Sequence, residues 1–100
     1  MPTGKKESLN TEGLKYYQDA VDALLAASIE PLVTLYHYDL PSHLEHHEGG
    51  WLNRSVVERF AEYADVMFEA LPRVKLWLTI NEPHSIATGG YLYGEAAPGR

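Results

Sequence analysis

Two short apolar runs end in side chains that are able to do chemistry. Asn81 and Glu82 come directly after the run "LWLTI", and His37 closes the run "PLVTLYH". A carboxylic acid held at the end of a rigid strand is well placed to exchange a proton with a bound substrate. The alternative interpretation is a turn, because polar residues next to a proline commonly start turns. Spacing alone leaves both interpretations of Glu82 open.

The apolar runs themselves predict two β-strands, over residues 31–37 and 74–80. Neither run alternates apolar and polar residues. Such continuous runs are typical of strands that are covered on both faces. We therefore expect both strands to be buried in the interior of an α/β layer structure.

Apolar residues at steps of three or four predict one helix before each strand. Asn10 or Thr11 is placed to cap the start of the first helix. The second helix is predicted to begin at Ser55, where Ser55 and Glu58 have the spacing of a capping box. It is predicted to end just before Pro72, whose ring does not fit helical geometry.

The order helix, strand, loop, helix, strand, loop predicts an α/β chain with two parallel strands joined by a helix. The carboxyl ends of parallel strands meet at one edge, and neighbouring strands lie about 4.8 Å apart. We therefore expect His37 and the Asn81–Glu82 pair to line one pocket. A complete (β/α)₈ barrel needs roughly 250 residues, so residues 1–100 correspond to only part of one. The first residues are expected to form a loop that leaves a strand preceding Met1.

Composition excludes some classes of partner. The formal net charge is −6 and the eight basic residues are scattered, which argues against nucleic acid. No apolar run approaches the roughly 20 residues that a membrane span needs. No signal peptide is visible, and cysteine is absent. The segment "NRS" at 53–55 fits the N-glycosylation pattern, and the localisation is left open.

The histidine-rich segment "HLEHHE", at 43–48, invites a metal hypothesis. His43 and His47 are four residues apart, a spacing that presents two zinc ligands on one face of a helix. The order of residues differs from the HExxH zinc-protease motif, however, and proline and glycine flank the segment. A solvated loop is the favoured interpretation, so we predict no metal site.

The polar strand ends also belong to a wider set of motifs. Together, "TINEP", "LVTLYHYDLP" and "GGWLN" closely resemble glycoside hydrolase family 1, which includes β-glucosidases and lactase-like β-galactosidases. The resemblance spans nearly the whole chain, because "LNTEGLKYY" and "GGYLYGEAAPG" also match in order and spacing. It implies a fragment of a (β/α)₈ barrel, roughly from its second to its fourth β/α unit and incomplete at both ends. It also implies a retaining β-glucosidase that needs no cofactor.

The resemblance assigns roles to individual residues of this chain. Glu82 matches the general acid/base, which protonates the glycosidic oxygen and later deprotonates the attacking water. Asn81 matches a residue that binds the 2-hydroxyl of the sugar, and His37 matches a histidine that binds another sugar hydroxyl. Trp51, in "GGWLN", is expected to pack beneath the loop. The implied partner is a β-glycoside substrate.

Three positions help to place the chain within the family. Tyr38 stands where the family usually has tryptophan, so the packing around His37 is expected to differ. His84 replaces the common aromatic residue after "NEP". Plant thioglucosidases carry glutamine where this chain has Glu82, which disfavours a glucosinolate-cleaving enzyme of that type.

A retaining glycosidase also needs a second carboxylate, about 5–5.5 Å from the acid. The family's nucleophile lies downstream, and no match to it occurs within these residues. The remaining candidates lie in segments predicted to be loops: Asp39, Glu45, Glu48 and Glu95. We therefore predict that residues 1–100 alone have no glycosidase activity. Two rival interpretations are a non-catalytic, co-receptor-like relative and a self-contained α/β interaction domain.

Overall fold

The computed structural model describes residues 1–100. It contains four α-helices, two β-strands and a π-helical segment. In chain order these are α1 (Thr11–Ala26), β1 (Leu32–Tyr36), α2 (Ser42–Glu48), α3 (Ser55–Ala70), β2 (Leu76–Ile80), α4 (Pro83–Ser85) and the π-helical segment Ile86–Leu92. Short 3₁₀ turns lie at Lys6–Ser8 and Gly50–Leu52.

The two strands form a parallel two-stranded sheet, as predicted. Leu32 pairs with Leu76 and Tyr36 pairs with Ile80, so every pair is separated by the same number of residues along the chain. One further bond continues the ladder, since the Asn81 amide donates to the Tyr36 carbonyl at 2.9 Å. This bond fixes the relative position of the two segments that follow the strands.

The first helix starts as predicted, because the Asn10 side chain accepts a hydrogen bond from the Gly13 amide at 2.9 Å. The start of α3 was predicted correctly, but the capping box there is wrong. The Ser55 hydroxyl instead donates to Glu48 Oε2 at 3.0 Å, which joins α2 to α3. A tertiary contact has taken the hydroxyl that a local cap would use.

The histidine-rich segment forms helix α2, so the loop prediction is wrong. Its first turn is closed by bonds from the Leu44 and Glu45 amides to the Pro41 carbonyl. Gly49 ends the helix in a left-handed conformation, with φ 85°, which glycine adopts without a steric penalty. Leu44 is buried and anchors the helix. The proline and glycine that suggested a loop therefore mark the two ends of a short helix.

One core cluster holds the helices to the sheet. Its buried members come from α1, β1, α3 and the segment after α3: Val21, Leu35, Met67, Leu71 and Val74. Met67 is core, as predicted, whereas Phe68 is 45% exposed and packs edge-to-face on Trp77. The helices α1 and α3 therefore lie against one face of the sheet.

The opposite face of the sheet is uncovered in this chain. Leu32, Leu76 and Leu78 are 57%, 51% and 45% exposed, although all three lie in strands. Residues of the alternate set, Val33 and Trp77, pack against the core cluster. The prediction that both faces are covered is therefore wrong for residues 1–100. None of the helices has both the length and the apolar character that crossing a membrane requires.

Candidate active site at the carboxyl ends of the strands

The end of β1 presents an exposed imidazole. His37 is the first residue after the strand, and its amide donates to Asp39 Oδ1 at 3.0 Å. Its ring packs edge-to-face on Tyr38, with 5.3 Å between the ring centroids. Asp39, which sequence reasoning treated only as a spare carboxylate, therefore shapes the turn that carries His37.

The end of β2 presents the amide and the acid. Asn81 is half-buried and is tied to β1 through its amide, whereas Glu82 is exposed. Glu82 adopts a left-handed conformation, with φ 45°, and Pro83 directly after it starts α4. The Ile86 amide donates to the Glu82 carbonyl at 3.1 Å. The sharp change of direction after Asn81 therefore sets where the carboxyl group lies.

Tyr38 connects the two strand ends. Its hydroxyl donates a hydrogen bond of 2.7 Å to Glu82 Oε2, across 44 residues of sequence. The paired strand residues have this same separation, so Tyr38 lies opposite Glu82 in the continued register of the sheet. Sequence reasoning noticed Tyr38 only as an unusual residue. The contact follows from the register, which the sequence alone did not provide.

Both members of this pair have strained backbones. Tyr38 has φ 68° and Glu82 has φ 45°, although neither is glycine. A non-glycine residue held in a sparsely populated region costs on the order of 1–3 kcal/mol. Tyr38 and Glu82 occupy matching positions just beyond the two neighbouring strands, so the strain is concentrated at the edge that carries the candidate site.

The hydrogen bond also affects the chemistry of Tyr38. Donation to the Glu82 carboxylate is the main reason that the pKa of Tyr38 lies above its usual value of 10.0, and Ser85 and Asn81 act in the opposite direction. The hydroxyl therefore keeps its proton throughout the neutral range. It therefore remains a hydrogen-bond donor to Glu82 at neutral pH.

Trp51 packs against the end of β1 and against α3. Its ring lies edge-to-face against Tyr36, at 5.1 Å, and against Phe60, at 5.6 Å. Its amide donates to the Tyr91 hydroxyl at 3.2 Å. Burial is the main reason that the pKa of Tyr36 is raised above its usual value. Trp51, Tyr36 and Phe60 thus form an aromatic cluster at the end of β1.

The carboxylates of α2 are engaged in structural contacts. Glu45 forms an ion pair of 2.6 Å with Arg100, and Glu45 Oε2 accepts from the Tyr91 hydroxyl at 3.3 Å. Glu48 accepts from Ser55 and forms an ion pair with Arg59 at 3.8 Å. Neither carboxylate contacts Glu82. They hold α2 to α3 and to the segment that follows α4.

The histidines of α2 stand apart from the strand ends. His43 and His47 lie on one face of the helix, with 4.6 Å between their ring centroids, and both are exposed. No group of three or more His, Cys, Asp or Glu side chains in this chain is arranged to hold a metal ion.

A cavity between the helices and β1 reaches the end of β1 at Tyr36 and Asp39. Apolar side chains form most of its wall, among them Leu35, Leu44 and Phe60. Neither His37, Asn81 nor Glu82 lines it. The candidate site is therefore the open edge of the sheet and not this cavity.

Glu82 and His37 follow the carboxyl ends of two parallel strands, which is where the active sites of (β/α)₈ barrel enzymes lie. A model of glycosyl hydrolase family 1 matches residues 1–100. The chain therefore belongs to this family. Its fold is part of the (β/α)₈ barrel of the β-glucosidases, since their solved structures superpose closely on it.

Three relatives show how close the similarity is. Human lactase/phlorizin hydrolase is 54% identical over 100 residues, which are 99% of this chain and 5% of that protein. β-Glucosidase 2 from the fungus Trichoderma reesei, solved in complex with Tris, is 46% identical with a TM-score of 0.96. A mutant rice β-glucosidase, with glutamate replaced by glutamine, is 48% identical with a TM-score of 0.95.

The match covers nearly all of this chain but a small share of each relative. Residues 1–100 superpose on 22% of the Trichoderma reesei chain and 21% of the rice chain. The chain thus spans about a fifth of the length of these solved β-glucosidases.

Proposed function

We propose that this chain is part of a retaining β-glucosidase, an enzyme that hydrolyses β-O-glycosidic bonds by double displacement. The observation that carries the proposal is the position of Glu82, at the carboxyl end of β2 and hydrogen-bonded to the end of β1. The mutant rice relative was solved in a covalent complex with Glc. A covalent sugar on the enzyme is the intermediate that double displacement requires.

Each side chain at the strand ends then has a role. Glu82 protonates the glycosidic oxygen as the bond to the aglycone breaks, and the resulting carboxylate later takes a proton from the attacking water. Asn81 binds the 2-hydroxyl of the sugar, a contact that strengthens in the transition state. His37 binds another sugar hydroxyl, since imidazole donates or accepts hydrogen bonds in a fixed plane.

We further propose that residues 1–100 belong to one barrel domain and are incomplete at both ends. The uncovered leucines of the sheet support this, because a closed barrel would bury them in its interior. The second carboxylate would lie on a strand outside this segment. Residues 1–100 alone are therefore expected to have no glycosidase activity.

The test is Glu82→Gln in the complete polypeptide that carries this segment. Glutamine keeps the shape of the side chain but is not an acid, so we expect kcat/KM for an alkyl β-glucoside, whose leaving group must be protonated, to fall by about 10²–10⁴-fold. The matched control is Glu58→Gln on α3, which alters an exposed carboxylate that makes no ion pair. We expect this control to keep full activity.

Full activity of the Glu82→Gln enzyme would contradict the proposed role of Glu82. A complete wild-type polypeptide that binds glucosides without cleaving them would contradict the proposed activity. That second outcome would favour the non-catalytic relative instead.

A further inference from the structure

We propose that Tyr38 is a positioning residue for Glu82, whose hydroxyl fixes the carboxyl group in the orientation from which the acid protonates the leaving group. The inference rests on the proposed function and deepens it. It concerns a contact that depends on tyrosine at this position, because the hydroxyl is the donor.

The hydrogen bonds around the Glu82 carboxyl group are asymmetric. Tyr38 is the only side chain in this chain that donates to Glu82, and it contacts Oε2 alone. When Glu82 is protonated, the bond from Tyr38 favours Oε2 as the carbonyl oxygen, because a carbonyl oxygen accepts better than a carboxylic hydroxyl, and so favours the acidic proton on Oε1. The bond thus selects which of the two oxygens carries the proton toward the substrate.

The hydrogen bond between Tyr38 and Glu82 changes in strength during the reaction. A length of 2.7 Å is ordinary for a hydrogen bond from a hydroxyl to a carboxyl group, and such bonds strengthen when the acceptor is ionised. Glu82 gains negative charge as its proton moves to the glycosidic oxygen. The bond is therefore stronger in the transition state than in the ground state, which is the condition for it to raise the rate.

The backbone also holds Tyr38 and Glu82 in position. Tyr38 and Glu82 occupy matching positions beyond β1 and β2, and both adopt left-handed conformations. The extra ladder bond from Asn81 to Tyr36 joins the two segments one residue before Glu82 and two residues before Tyr38. The hydroxyl and the carboxyl group are thus held by short segments that directly follow two paired strands.

The experiment is Tyr38→Phe in the complete polypeptide, assayed with two substrates. An alkyl β-glucoside has a poor leaving group that must be protonated, whereas 2,4-dinitrophenolate leaves without protonation. We expect kcat/KM to fall about tenfold or more for the alkyl glucoside, as for the loss of a hydrogen bond to a charged group, and less than about threefold for the dinitrophenyl glucoside. KM for the alkyl glucoside is expected to stay nearly constant while kcat falls.

Two further variants separate positioning from folding. Tyr16→Phe removes a hydroxyl from an exposed tyrosine on α1 and is expected to leave both substrates unaffected. In a Glu82→Gln background, Tyr38→Phe is expected to cause no further loss, because the hydroxyl acts only through the acid. Thermal unfolding of each variant checks that the fold is kept.

Equal losses for the two substrates, or a full additional loss in the Glu82→Gln background, would overturn the inference. If the phenylalanine variant does not fold, 3-fluorotyrosine at position 38 keeps the ring and provides a stronger donor. It must then raise the ratio of alkyl to dinitrophenyl kcat/KM, and an unchanged ratio contradicts the inference. These outcomes differ from failure of the proposed function, which appears as full activity of Glu82→Gln.

Discussion

At the scale of single residues, the site depends on where two strands stop. His37, Asn81 and Glu82 could be placed from the sequence because apolar runs end abruptly at each of them. The bond between Tyr38 and Glu82 could not, because it needs the register of the sheet and two left-handed residues. Neither quantity is encoded in spacing along one strand.

Asn81 offers a prediction at this scale. Asn81→Ala in the complete polypeptide is expected to lower kcat/KM for p-nitrophenyl β-glucoside about tenfold or more, because contacts to the 2-hydroxyl strengthen in the transition state. The matched control is the 2-deoxy substrate, which has no hydroxyl for Asn81 to bind. For the 2-deoxy substrate, kcat/KM is expected to be nearly equal in the wild-type enzyme and in Asn81→Ala. An equal loss of kcat/KM on both substrates would exclude the contact between Asn81 and the 2-hydroxyl.

At the scale of elements, short-range patterns were reliable where local chemistry decides the structure. The Asn10 cap and the end of α3 before Pro72 are local effects, and both were predicted correctly. Helix α2 was missed because its one apolar anchor, Leu44, gives no periodic pattern in a seven-residue helix. The Ser55 hydroxyl was misassigned because its partner, Glu48, comes from a different element.

Gly50 allows a prediction about the packing of the segment after α2. It adopts φ 59°, and a Cβ there would clash with the Glu45 carboxylate, which holds α2 to Arg100. Gly50→Ala in the complete polypeptide is expected to lower the free energy of unfolding by about 1–3 kcal/mol. Urea denaturation measures the change.

The matched control for Gly50→Ala is Gly13→Ala on α1. A Cβ at Gly13 meets the Asn10 side chain only at an ordinary distance of 3.4 Å. Alanine is favoured over glycine inside a helix by about 0.5–1 kcal/mol, so this control is expected to be neutral or stabilising. Equal destabilisation by both substitutions would contradict the packing described for Gly50.

At the scale of the whole molecule, helices cover one face of the sheet and leave the other bare. The α/β class and the parallel strands were predicted correctly, since element order decides them. The prediction that both faces are covered was wrong, because no element of residues 1–100 packs over the second face. Leu32, Leu76 and Leu78 belong to the bare face.

This bare face predicts how residues 1–100 behave when produced alone. A two-stranded sheet with exposed leucines and open edges is expected to bind a hydrophobic dye and to unfold gradually with urea. Fluorescence of 8-anilinonaphthalene sulfonate and circular dichroism measure the two properties. A single sharp transition without dye binding would instead favour a self-contained domain.

The matched positions of Tyr38 and Glu82 have a practical consequence for engineering. The two residues meet through the pairing of β1 with β2, and not through the length of chain between them. Loop grafts at the exposed turn after α3, around Arg73, would therefore leave the hydroxyl beside the acid. A single residue inserted between Tyr36 and Tyr38 would move Tyr38 away from Glu82. Insertions are therefore tolerated in the connection between the strands but not directly after either strand.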